Sequence, residues 1–331
     1  MRVVITGGAG FLGSRLARKI LERGTLAGAD GTQQKIQELV LFDISPAQGF
    51  DDARVKIVAG DVSDAATVMA LIGSDTQSVF HLAAIVSGQA EAEFDLGMRI
   101  NFNATRHLLE AMRACPKPAR LVFSSSLAVF GAAKPGDVPD PVRDDTALTP
   151  LSSYGAQKAM GELMVNDYTR KGFVDGRSLR LPTITVRPGK PNAAASSFAS
   201  GIIREPLNGE EAIVPVGPDT RMWILSPRKV IDNLILGHDV DGAAFGSYRS
   251  VSVPGMQVKV GDMAEALERV AGKDVASRIT WRREERIDRI VSTWPSNFDC
   301  AKGRGLGMQA DTNFDDVIRA YIADEKPSAA G

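Results

Sequence analysis

The sequence predicts an α/β fold, a doubly wound parallel sheet with a smaller mixed α/β region C-terminal to it. Short apolar runs bounded by turn residues alternate with helical periodicity through the first half of the chain, the pattern of a parallel sheet covered by helices. A glycine triplet closes the first of those runs and opens the first helical pattern. After Arg187 the alternation gives way to Gly- and Pro-rich turns between shorter segments. With 331 residues, 44% of them hydrophobic and 24% charged, the chain can bury a large core or form two coupled domains.

The expected strands are Arg2–Thr6, Glu38–Asp43, Val55–Ala59, Ser78–Leu82, Arg120–Ser124 and Ser178–Val186. Right-handed crossovers between them give the doubly wound order. The first helix is the amphipathic Gly10–Arg23, a second runs near Phe94–Cys115, and a third, capped by Ser152, carries Tyr154 and continues to about Lys171. The stretch Gly24–Gln37, rich in Gly, Ala, Thr and Gln, reads as a surface insertion before the second strand. Ser226–Asp239 reads as a helix returning to the sheet, Asp262–Ala271 and Phe314–Ala323 as amphipathic helices, and the EKPSAAG tail after Asp324 as frayed.

A formal net charge of -1 offers no basic field for nucleic acid or an anionic membrane, so neither is an expected partner. Cys115 and Cys300 are too few for a disulfide framework and form no CxxC, so no metal site is indicated and a reducing compartment fits. No apolar stretch reaches the length of a membrane span, and no charged leader precedes the run beginning at Val3. These features point to a cytoplasmic protein.

Thr6-Gly-Gly-Ala-Gly-Phe-Leu-Gly13 stands between the first strand and the first helix, the context a dinucleotide loop requires. Gly7 permits the tight turn, Gly10 lets the backbone approach a pyrophosphate, and Gly13 lets helix and strand pack closely, with Phe11 and Leu12 in the first helical turn. The sheet is therefore expected to be a Rossmann sheet, formed by residues 1–186 plus about 229–252. Residues 187–228 plus 253–331 would form the substrate region.

Asp43, at the end of the second strand, lies further from Gly13 than the usual spacing of about 20 residues, and the Gly24–Gln37 insertion accounts for the excess. As a ribose ligand it favours NAD over NADP, since its carboxylate repels a 2′-phosphate and no arginine adjoins it. An exposed strand-end aspartate is the structural alternative.

Tyr154 alone among the four tyrosines has a lysine four residues downstream, Lys158. That step puts both side chains on one helix face, about 5–6 Å apart at Cβ. A phenol titrates near pH 10, so it needs a fixed cation to act as a base, and Lys158 is the expected source. On its own the pair reads more readily as a solvated helix face. His81, His107 and His238 are the only histidines, and with no Gly-x-Ser-x-Gly elbow they read as structural.

Taken together and in order, TGGAGFLG (Thr6–Gly13), GDV (Gly60–Val62), HLAA (His81–Ala84), NFNAT (Asn101–Thr105), SSSLAVFG (Ser124–Gly131), YGAQK (Tyr154–Lys158) and RPG (Arg187–Gly189) resemble the extended short-chain dehydrogenase/reductases over most of the chain. That resemblance implies that Asp61 and Val62 lie against the adenine and Leu82, Ala83 and Ala84 along the cofactor backbone, with Ser124 nearby. Asn101 would hold the site's architecture, Ser126 would bond the reacting oxygen, and backbone near Pro188 would face the carboxamide. Ser125 remains an alternative to Ser126, because three consecutive serines leave the register open. Phe130 stands where the family often has tyrosine. The family's chemistry gives Tyr154 the proton, NAD the hydride, and Lys158 the nicotinamide ribose as well as the tyrosine.

Within the family the chain is similar to members that oxidise the 2-hydroxyl of a four-carbon sugar acid, D-erythronate to 2-dehydro-D-erythronate. The similarity lies in the inserted segment before Leu39, in Arg180–Gly209 and in Met222–Leu234. GKPNAAAS and SPRKV replace segments typical of nucleotide-sugar enzymes. A hydroxy acid needs a cation for its carboxylate, and guanidinium matches it with two parallel hydrogen bonds. Arg221 is the first choice, ahead of Lys190 and Arg228. The alternatives are an NDP-sugar epimerase or dehydratase that does not consume NAD, and a catalytically silent NAD-sensing protein. A homodimer through the helices near Phe94–Cys115 and Ser152–Lys171 is the family's usual state.

Overall fold

The computed structural model describes residues 1–134, 136–190 and 194–325. The end of the tail expected to fray, 326–331, and residues 191–193 of GKPNAAAS lie outside that range.

Seven parallel strands form the central sheet, in the order Ser250–Ser252, Asp175–Leu181, Arg120–Ser126, Thr76–His81, Arg2–Thr6, Glu38–Asp43 and Val55–Ala59. Sequence order therefore runs outward in both directions from Arg2–Thr6. This creates a switch point between that strand and Thr76–His81, where open α/β sheets bind ligands at the C-terminal strand ends. Alternation along Arg2–Thr6 sends Val3 and Ile5 to one face, with Leu16, Ile20 and Leu234, and Val4 to the other, with Phe42, Leu108 and Val165. The helix Pro227–Asp239 does return to this sheet, packing on the first helix and on two strands.

Three elements differ from expectation. The strand expected over 178–186 ends at Leu181 and resumes as Thr183–Ile184, which pairs instead with Arg221–Leu225. Pro182 stands at the break, with no N–H to continue the ladder. The helix expected over 94–115 is Phe94–Gly97, a π-helical turn Met98–Asn103 and Ala104–Arg113; such wide turns often sit at functional sites. The insertion before the second strand is a hairpin, Thr25–Ala27 with Gln33–Lys35. Its tip is exposed, but Leu26 is fully buried and the Ala27 N–H donates to Asp239 Oδ1 at 2.9 Å.

Beyond Pro182 a separate apolar cluster gathers Val186, Phe198, Ile202, Met222, Ile224, Met263, Leu267 and Phe314. It underlies a three-stranded sheet of Thr183–Ile184, Arg221–Leu225 and Met256–Lys259.

Candidate active site

The glycine loop is shaped by close approach. A Cβ on Gly13 would lie 2.0 Å from the Gly7 carbonyl oxygen, and one on Gly7, whose φ is +75°, would lie 2.8 Å from the Ala83 nitrogen. Gly8, not singled out from sequence, is equally tight: its Cβ would stand 2.9 Å from Leu41 Cα. The helix Phe11–Arg23 starts at Gly10 with no side-chain cap, which leaves its first N–H groups for an anion. Phe11 and Leu12 are half-buried in that turn. Asp43 sits against the loop: Oδ2 accepts from the Ala9 N–H (3.1 Å) and Oδ1 from the Ile44 N–H (2.8 Å). Asp61, at the next strand end, accepts from the Ser63 N–H and hydroxyl, which hold its carboxyl below the usual range, and Val62 is buried. These residues fit a dinucleotide, with main chain bare toward the phosphates and carboxylates at the strand ends.

A relay of hydrogen bonds supports the segment Leu82–Ala84. Thr105 Oγ1 donates to the Asn101 carbonyl (2.9 Å) and so accepts from His81 Nε2 (3.1 Å). His81 Nδ1 then accepts from the Thr6 hydroxyl (2.7 Å), whose oxygen receives the Ala83 N–H (3.4 Å), while the Leu82 N–H donates to the Thr6 carbonyl (3.1 Å). Burial holds the His81 pKa down to about 3, with Lys158 adding to the effect, so the ring is neutral and structural. Asn101 is buried in the π-helical turn; its Oδ1 accepts from the Ile85 N–H (2.9 Å) and its Nδ2 donates to Gln157 Oε1 (2.8 Å). It thus clamps the loop to the helix bearing Tyr154.

That helix, Ser153–Arg170, begins at Ser152, whose hydroxyl accepts from the Gly155 N–H (3.1 Å). A Cβ on Gly155 would lie 2.1 Å from the Ala128 carbonyl. The glycine lets the helix press on the turn after Ser126, and its signal in the sequence was an otherwise unfavourable Gly inside a helix. Ser126 is near enough to the Tyr154 hydroxyl to favour its ionised form, and its Oγ accepts from the Ala128 N–H (3.1 Å). The two neighbouring serines are committed elsewhere: Ser125 Oγ donates to Glu162 Oε1 (2.6 Å) and Ser124 Oγ to the His81 carbonyl (3.0 Å).

Lys158 is buried, donates to the Ser124 carbonyl (2.8 Å), and lies 5.6 Å from the Tyr154 ring centre. Burial lowers its pKa to about 7, against the pull of Glu162. Burial also pushes the Tyr154 phenol up to about 12, opposed by the nearby Ser126 hydroxyl and by the charge of Arg187. The charge of Arg187 favours the ionised phenol, and the Lys158 ammonium, on the same helix face, donates to the Ser124 carbonyl beside the ring.

Arg187 follows the cis bond Thr185–Val186. Its N–H donates to Ser200 Oγ (3.1 Å) and its carbonyl accepts from Arg204 (2.9 Å). No carboxylate pairs with its half-buried guanidinium among the described residues, and burial and Arg204 lower its pKa. Arg221 is exposed at a strand start, opposite Lys259 and beside Asp219, and among the described residues no contact ties it to Tyr154. Arg228 is paired with Asp324, and Lys190 is exposed. Pro188 is half-buried directly after Arg187, and Ala84 is exposed. The RPG motif had marked Arg187, but only the fold turns it toward the tyrosine.

Residues 3–225 match the NAD dependent epimerase/dehydratase family. The chain is 56% identical over 324 residues, 98% of both chains, to D-erythronate dehydrogenase of Cupriavidus necator. It is 44% identical over 323 residues, 97% of this chain and 99% of the relative, to D-erythronate dehydrogenase of Haemophilus influenzae. A solved structure described as the nucleoside-diphosphate-sugar epimerase from Agrobacterium tumefaciens is 40% identical, with a TM-score of 0.91 over 98% of this chain and 94% of that one. The family match begins with the glycine loop and runs through Tyr154, Lys158 and Arg187 to Leu225, so this chain belongs to the NAD dependent epimerase/dehydratase family of extended short-chain dehydrogenase/reductases.

Proposed function

We propose that this chain oxidises D-erythronate at its 2-hydroxyl to 2-dehydro-D-erythronate and reduces NAD. The observation that carries the reading is the half-buried Arg187, which has no carboxylate partner among the described residues and acts on Tyr154. In a 2-hydroxy acid the carboxylate is bonded to the reacting carbon, so its cation must sit beside the proton acceptor. A nucleotide sugar carries its pyrophosphate several bonds from the reacting carbon and has no such need. Two relatives, each matched over nearly its full length, are named for this activity.

NAD supplies the hydride acceptor when bound. Tyr154 acts as the phenolate that takes the 2-hydroxyl proton, its ionised form favoured by Ser126 and Arg187 against burial. Ser126 orients the substrate oxygen, Arg187 grips the carboxylate, and Lys158 holds the nicotinamide ribose. The glycine loop takes the pyrophosphate, Asp43 the adenosine ribose, Asp61 and Val62 the adenine, Leu82–Ala84 the cofactor's length, and Pro188 the carboxamide side. Residues 187–228 and 253–331 serve as the substrate region. Exposed Phe94, Leu151 and Leu163, at 59%, 61% and 56%, support a homodimer through the helices that carry or flank them. Among the described residues no helix is long and apolar enough to cross a membrane, and the proposed location is the cytoplasm.

The test is NADH absorbance with NAD and D-erythronate. Accumulation supports the reading; turnover of a UDP- or dTDP-sugar without net NADH, and none with the sugar acid, replaces it with an epimerase or dehydratase.

A further inference from the structure

Beneath the catalytic face lies an ion pair that the proton and hydride chemistry does not use. Glu162 and Arg180 are 0% and 1% exposed at their side chains. Arg180 Nε and Nη2 grip the two carboxylate oxygens at 2.8–3.1 Å, and the same carboxylate accepts from Ser125 Oγ (2.6 Å) and, more distantly, from the Tyr248 hydroxyl (3.4 Å). A buried pair of this kind costs about as much in lost hydration as it returns in attraction, so stability alone explains it poorly. Its position is more telling. Glu162 is one helical turn beyond Lys158 and two beyond Tyr154, and Ser125 precedes Ser126 on the strand that Arg180 borders in register.

We propose that Glu162 is a positioning residue for the reaction, the buried counter-charge that holds Lys158 as an ammonium ion and fixes the strand of Ser126 to the helix of Tyr154. The assignment rests on the reading of function given above and extends it to a residue outside the reacting set.

Among the described residues, Glu162 is the anion that acts on Lys158. On its own helix it meets Tyr154 and Glu162; from the strand Arg120–Ser126 it meets the Ser124 carbonyl and the Phe123 ring, 4.8 Å away; from Thr76–His81 it meets the neutral His81. Arg180 comes from the next strand and Tyr248 from the loop before Ser250, both toward Glu162, while Asp144 acts on Arg180. Burial drives the lysine toward neutrality and Glu162 opposes it. Removing the carboxylate while leaving Arg180 replaces an attraction with a repulsion.

The experiment measures kcat/KM for D-erythronate against pH in the wild type, Glu162→Gln and Glu162→Asp, with NADH affinity followed by fluorescence over the same range. In the wild type both quantities fall as rising pH strips Lys158 of its proton. In Glu162→Gln both falls move to lower pH by about one unit or more, and Glu162→Asp restores them. An unmoved fall in a folded Glu162→Gln protein, or equal displacement in both variants, overturns the assignment. Should Glu162→Gln fail to fold, the double variant E162M/R180M leaves no charge buried alone; displacement there supports the assignment and its absence overturns it. A wild type that makes no NADH from any sugar acid overturns the function instead, and the displacement of NADH affinity then decides the role of Glu162.

Discussion

Around the glycine loop the chain works chiefly with its backbone: bare N–H groups just after Gly10, a Gly7 carbonyl that excludes any side chain on Gly13, and an aspartate from the neighbouring strand that braces the turn. Around Tyr154 it works with side chains from separate segments. Ser126 comes from a strand end, Tyr154 and Lys158 from a helix, and Arg187 from the chain just beyond a break in the sheet. The first arrangement suits a ligand common to many enzymes, because main chain cannot be exchanged by mutation. The second can change substrate by replacing one residue and keeping the rest. This division is open to experiment from either side.

The largest effect falls on the chemistry. Tyr154→Phe keeps the ring and removes the proton acceptor, and kcat drops by about 10³-fold, within the usual range for a general base, with NADH affinity unchanged. Equal losses of kcat and NADH affinity would mean that Tyr154 serves the cofactor side and would break the division. Next is the carboxylate grip. Arg187→Met lowers kcat/KM for D-erythronate by about 10²-fold, as loss of a charge-assisted pair of hydrogen bonds predicts, mainly through KM. Arg221→Met, a change at an exposed strand end, leaves both constants where they were. If the two variants exchange behaviour, the substrate carboxylate binds at the far end of the second sheet.

The same division explains how far the sequence could be read. Gly7, Gly10 and Gly13 are separated by fixed steps along one loop, and their demands are local, so spacing reveals them. Asp43 needed only the strand alternation and an allowance for the hairpin Thr25–Lys35. The serine run was ambiguous because neighbours on a strand face opposite ways, and only the position of Glu162 decides that Ser125 faces it and Ser126 faces Tyr154. Arg187 and Arg221 are alike in composition and neighbourhood. What separates them is the path of the chain past Pro182, which pairs Thr183–Ile184 with a different sheet and leaves Arg187 where its charge acts on the tyrosine. Spacing put Lys158 on the helix face of Tyr154, but not its acceptor, the carbonyl of Ser124 at the start of the run SSSL, which comes from a distant strand.

A smaller effect probes the backbone half directly. Gly13→Ala forces a Cβ to within 2.0 Å of the Gly7 oxygen, so the loop must shift and NAD affinity falls by about tenfold or more, roughly 1.4 kcal/mol, while D-erythronate protection of the apo chain against heat is retained. Loss of both would show that the two halves are not separable.

The mildest test concerns the aspartate between them. Asp43 spends one oxygen on the Ala9 N–H and the other on the Ile44 N–H, which leaves a lone pair on each for ribose hydroxyls. Asp43→Asn keeps one acceptor and turns the other into a donor that faces an N–H, so it costs a hydrogen bond inside the loop as well as one to the ribose. NAD affinity should fall by about three- to tenfold, the worth of about 1 kcal/mol for a net hydrogen bond. With the negative charge gone, NADP should lose less, and the ratio of the two dissociation constants should narrow. If NAD weakens and the ratio holds, Asp43 braces the loop without reading the ribose, and discrimination against the 2′-phosphate must then come from elsewhere, because Ile44 beside it is exposed and carries no charge.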